Sequence, residues 1–126
     1  MLEFGDLTGQ VIGYAIEVHS QLGPGLLESV YKKCLVYELE KAGLAVEVEK
    51  TLPITYKDVQ LDCGYRIDIL VENKLILELK AVEKVLGVHE AQVITYMKLA
   101  NIPTGLLLNF NAKLLKDGLK RFVLKQ

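Results

Sequence analysis

The sequence predicts an α/β fold, a mixed β-sheet flanked by helices in the order α-α-β-β-β-α-β. Three observations predict it: two N-terminal stretches with apolar residues at helical spacing, a strand-rich middle from Val46 to Ala81, and a third helical stretch leading into an apolar strand. Taken in order, Thr8 reads as a cap for a first helix in which Val11, Ile12, Ala15, Ile16, His19 and Leu22 share a face, and Gly23-Pro24-Gly25 stops it. A second helix over residues 26–42 would bury Leu27, Val30, Tyr31, Cys34, Leu35 and Leu39, with Gly43 suited to its C-terminal end. Strand signals follow at Val46, Val48, Leu52, Ile54 and Tyr56, then over residues 61–71, then over 75–81, an early meander. A third helix over residues 88–100 precedes Pro103 and a fully apolar strand at 105–108, with a crossover long enough for a parallel βαβ connection. Residues 119–124 form a candidate further edge strand.

The 126 residues fit a single domain over 1–126, large enough to bury one core without disulfides or a structural metal. Half of them are hydrophobic and 25% charged, a globular balance. A net charge of -1 excludes a global field that steers the protein to polyanions. Lys113, Lys116, Lys120, Arg121 and Lys125 make the one local basic segment, which reads equally as a solvated edge. Cys34 and Cys63 lack Cys-x-x-Cys spacing and are expected reduced. No apolar run reaches the ~20 residues of a membrane span, and MLEFGDLTGQ lacks a signal pattern, so a cytoplasmic protein with no membrane partner is expected.

Chemistry concentrates in residues 65–80, YRIDILVENKLILELK. With Glu72, Asn73 and Lys74 as a hairpin loop, Val71 faces Leu75, Ile69 faces Leu77 and Ile67 faces Leu79 on one side of the sheet. On the other side Asp68 falls opposite Glu78, and Arg66 opposite Lys80. Two opposed carboxylates repel unless something positive lies between them, and a hard divalent cation would answer that. Lys80 shares their face and adds an ammonium. The alternative is a solvated face on which Arg66 and Lys80 neutralise the acids.

Glu28 lies in the first turn of the second helix, where the helix dipole favours an acid on structural grounds alone. Gln92 and Tyr96 stand four apart on the third helix, with His89 three residues earlier. His19 and His89 lack a second His at i+4 or an accompanying Cys, which argues against zinc. Gly-rich phosphate loops and the Gly-x-Ser-x-Gly elbow are absent from the sequence.

These residues carry a resemblance. Asp68, then Glu78-x-Lys80 on the next strand, resembles the PD-(D/E)xK nuclease superfamily, whose fold is restriction-endonuclease-like. VHSQLGPGLLESVY holds Gly25, Glu28 and Tyr31 in Gly-x-x-Glu-x-x-Tyr spacing, and Gln92-x-x-x-Tyr96 is similar to the helix motif of RecB-like nucleases. Together they resemble the small GxxExxY family from about Leu7 to Phe122. The resemblance implies a Mg2+- or Mn2+-dependent nuclease acting on DNA or RNA, without an organic cofactor. It implies Asp68, Glu78 and the Leu79 carbonyl as metal ligands, Glu28 as a further acidic ligand, Lys80 aligning or activating water, and Gln92 and Tyr96 positioning water or phosphate. The chain departs from the motif's name in having Arg66-Ile67 before Asp68 in place of a proline. A non-catalytic nucleic-acid-binding module and a structural or partner subunit, the latter dimerising through apolar edge strands, stand beside the nuclease reading, with which a homodimer is also compatible.

Overall fold

The computed structural model describes residues 3–125. Its elements run α1 (Glu3–Leu22), α2 (Glu28–Lys41), β1 (Val46–Thr51), β2 (Ile54–Tyr56), β3 (Val59–Leu61), β4 (Arg66–Val71), β5 (Leu75–Lys80), α3 (Gly87–Ala100), β6 (Thr104–Asn109) and β7 (Leu119–Val123). A short 3-10 helix, Leu115–Gly118, precedes β7 and carried no sequence signal we read.

Five strands make one mixed sheet in the order β1-β4-β5-β6-β7. β5 and β6 run parallel, from Leu75↔Thr104 to Lys80↔Asn109, as the α3 crossover requires, and β7 closes the edge antiparallel to β6. The fold is thus the mixed α/β arrangement expected, with the candidate last strand present. Both faces of the sheet are covered, so its central strands are buried on either side and lose polar alternation. Tyr31, Leu35 and Leu39 of α2, with Val11, Ala15 and Val18 of α1, pack on Ile69, Val71, Leu75, Leu77, Leu79, Leu106 and Leu108. Val93, Tyr96 and Met97 of α3 pack on Ile67, Leu70, Ile76 and Leu107.

Several expectations need correction. Thr8 is not a cap: α1 begins at Glu3, and Thr8 lies within it, buried, its Oγ1 without a hydrogen-bond partner among the described residues. Leu27 is not core but 74% exposed, because it sits at the cap of α2 before the helix turns a face to the sheet. The expected strand over 61–71 is two elements. Asp62 Oδ1 accepts the Gly64 N–H at 2.9 Å and Gly64 takes φ +83°, a side-chain-locked turn that ends β3 and leaves β2–β3 as a separate hairpin. The Gly-Pro-Gly bend does stop α1: Gly23 at φ +71° donates its N–H to the His19 carbonyl at 2.7 Å.

At Gly105 the side chains of α3 lie close over the sheet. A Cβ there would lie 2.8 Å from Met97 Sδ and 2.9 Å from Val93 Cγ1. We expect Gly105→Ala to destabilise by about 1–3 kcal/mol through overpacking, read as a lower midpoint in urea unfolding.

Candidate functional site

The β4–β5 hairpin pairs in the expected register, Val71↔Leu75, Leu70↔Ile76 and Ile69↔Leu77, around Glu72 and Asn73 in left-handed conformation. Backbone pairing then stops, one residue short of Asp68 and Glu78. Strands that part leave N–H groups without ladder partners, and buried ones must find others. Here the two carboxylates supply them crosswise: Asp68 N–H donates to Glu78 Oε1 at 3.1 Å, and Leu79 N–H donates to Asp68 Oδ2 at 2.9 Å. The acids are therefore built into a gap between strands, not set side by side on a pleated face.

The gap also resets the alternation of β4. Ile67 packs with the α3 layer although Ile69 packs with α1 and α2, which corrects the shared face expected of them. Nor does Arg66 face Lys80; it pairs with Asp62 at 3.3 Å. On the other flank β1 is disturbed at the same level. Between the pairs Val48↔Ile69 and Lys50↔Ile67 fall Glu49 and Asp68, and Glu49 takes φ +55°.

Four acids and two lysines share this neighbourhood. Glu78 is buried at 3% exposure, and that burial, with the Asp68 charge beside it, pushes its pKa up to about 9. Glu28, brought from α2, is also raised, first by its burial; the Lys80 charge opposes this and the Asp68 charge adds to it. Lys32, one turn after Glu28, pairs with Glu49 and stands 3.5 Å from Asp68 Oδ1. Burial works against its charge, but the two carboxylates outweigh that and raise its pKa. Tyr96 is buried, with its pKa raised by that burial and then by Glu78, and it accepts a hydrogen bond from Gln92 Nε2 at 2.9 Å.

Of the residues the sequence singled out, Glu28, Glu78 and Tyr96 each lie within electrostatic reach of Asp68, Lys80 within reach of Glu28 and Glu78, and Gln92 joins through Tyr96. The two histidines do not. His19 Nε2 is held by the Ala112 carbonyl at 2.8 Å, and His89 Nδ1 accepts the Leu86 N–H at 3.0 Å at the start of α3. Sequence reasoning missed Lys32, Glu49 and Asn109. Lys32 had a readable signal, i+4 from Glu28 on one helix face; Glu49 had none short of knowing that β1 pairs with β4. Asn109, beside Lys80 in the sheet, accepts the Val82 N–H at 3.1 Å and donates to the Val82 carbonyl at 2.9 Å, which pins the chain two residues past Lys80.

The donor set is all oxygen and rich in carboxyl groups, the kind that suits a hard divalent cation. Among the described residues, no three acidic, His or Cys side chains stand close enough to form a ready cage. Lys32 supplies the positive charge next to Asp68 instead. A cavity of about 510 Å³ between His19, Pro24 and Lys113 includes none of these residues, whereas a cleft of about 390 Å³ reaches Gln92 and Tyr96.

A mixed sheet with an α3 crossover and a carboxylate pair at its parted hairpin defines the restriction-endonuclease-like class. A sequence model of the PD-(D/E)XK nuclease superfamily matches residues 5–122, and the chain belongs to that superfamily. Its members generally use Mg2+ or Mn2+ and act on nucleic acid. No curated protein and no solved structure matches the chain. No helix among the described residues is long and apolar enough to cross a membrane.

Proposed function

We propose that this chain is a Mg2+- or Mn2+-dependent nuclease of the GxxExxY kind, a single domain that hydrolyses phosphodiester bonds of DNA or RNA. The observation that carries the reading is the crosswise capture of Asp68 and Glu78 in the gap between β4 and β5. It holds two carboxylates together where their mutual repulsion calls for a cation. Asp68, Glu78 and the Leu79 carbonyl would hold the ion, with Glu28 adding an oxygen from α2. When bound, a divalent ion acidifies its water and offsets charge developing on the phosphate. Lys80 aligns the attacking water and stabilises the phosphate's growing negative charge, while Gln92 and Tyr96 fix the position of water or phosphate. No organic cofactor enters this reading. A homodimer would present two such sites to opposite strands.

One observation favours a second reading, a non-catalytic nucleic-acid-binding or partner module: Lys32 already neutralises Asp68 by ion pairing. Cleavage assays on DNA and RNA with Mg2+ or Mn2+ separate the two. Wild type should cut only with metal, and Lys80→Met should lose at least about 100-fold in rate while still binding Mn2+ by calorimetry. Absence of both metal binding and cleavage in wild type would favour the second reading.

A further inference from the structure

The cleft of about 390 Å³ that shares Tyr96 with the carboxylate site differs from that site in character. Ile54 and Tyr65 make an apolar wall, and Gln92, His89 and Tyr96 bring polar atoms. No Lys or Arg lines it, so it is not built for phosphate. Tyr65 is 42% exposed, and its ring meets Tyr96 edge-on with centroids 5.9 Å apart. That contact holds the ring against the residue whose hydroxyl bonds Gln92. Gln92 uses its amide N–H on Tyr96, which leaves its carbonyl oxygen to accept, and His89 uses Nδ1 on the Leu86 N–H, which places the neutral ring's proton on Nε2. The cleft therefore offers an aromatic ring, an apolar wall, and both acceptors and donors, with the Thr95 and Tyr96 hydroxyls beside Gln92 and His89.

We propose that this cleft receives one unpaired nucleobase, stacked on Tyr65, from the strand whose phosphate lies at Asp68 and Glu78; the favoured substrate is then single-stranded or frayed nucleic acid. The inference rests on the nuclease reading for where the phosphate lies. A nucleoside is covalently next to its phosphate, so a cleft that shares Tyr96 with the carboxylate site is where sugar or base must go. A planar π-face with a polar edge matches the lining better than a sugar does. In a duplex both faces of a base are covered by neighbours and its edge by its partner, so only an extruded or unpaired base can use the ring.

The test is binding without cleavage. Single-stranded DNA, single-stranded RNA and a DNA duplex of equal length, each with 2-aminopurine at one position, are titrated in Mn2+ with the full chain carrying the slow-cutting Lys80→Met change, reading anisotropy and 2-aminopurine quenching. With Tyr65 intact it should prefer the single strands and quench the probe; adding Tyr65→Phe should leave this unchanged. Tyr65→Leu, which keeps apolar bulk, should bind about tenfold more weakly and lose the quenching. The DNA and RNA arms show which sugar the site accepts. Equal binding by Tyr65→Leu, preference for duplex, or no binding to any strand would overturn the proposal. Cleavage that is unaffected in Tyr65→Leu would sink the stacking proposal alone, whereas Tyr65-dependent binding with no cleavage under any metal would sink the nuclease reading alone.

Discussion

Glu78→Gln should abolish Mn2+ binding and cleavage, and in the metal-free protein it should raise stability. Glu78 is buried with its pKa pushed up to about 9, so folding near neutral pH must either protonate it or hold a charge beside Asp68. The sign follows from linkage. A carboxyl whose folded pKa is raised binds its proton more tightly in the folded chain, so stability is greatest below the unfolded value of 4.5 and falls as pH rises toward about 9. Gln is neutral throughout, retains an oxygen for the Asp68 N–H, and offers Asp68 an N–H in place of a proton. At pH 7 the variant should gain about 1–3 kcal/mol, a rise of several degrees in Tm. At pH 4 the gain should vanish. Thermal unfolding in chelator at both pH values checks this. A Glu78→Gln protein less stable at pH 7 would mean that the carboxylate holds the hairpin together.

That dual role explains what the sequence made legible and what it did not. The register of β4 and β5 could be read from Ile69, Val71, Leu75 and Leu77, because apolar parity admits few alternatives. The parallel β5–β6 pairing followed from α3 lying between the strands. Ile67 could not be placed, because the rule of alternation holds only while the ladder does, and the ladder ends where side chains replace backbone. The small β2–β3 hairpin was hidden for a related reason. Asp62-Cys63-Gly64 is a turn set by one side-chain hydrogen bond, a local event that hydropathy alone does not report. The motif residues were legible as chemistry. Lys32 could be placed on the Glu28 face of its helix, but its pairing with Asp68 could not be read, since that depends on which helix packs over Asp68.

The strongest pH effect should be on metal affinity itself. An ion bound by Glu78 must displace the proton that burial and Asp68 hold there, so below about 9 each unit of pH lost should weaken Mn2+ binding by up to about tenfold. Calorimetry in two buffers of different ionisation enthalpy should find about one proton released per ion at pH 7. Glu28, also raised, adds to the release at the acid end of the range. Lys32 contributes none: its raised pKa keeps it charged throughout, so it opposes the ion at every pH by the same electrostatic means. Lys32→Met should therefore tighten Mn2+ binding without altering the proton count. An affinity independent of pH between 6 and 8 would place the ion away from Glu78. An unchanged affinity in Lys32→Met would mean that the lysine leaves Asp68 readily and is no competitor for the site.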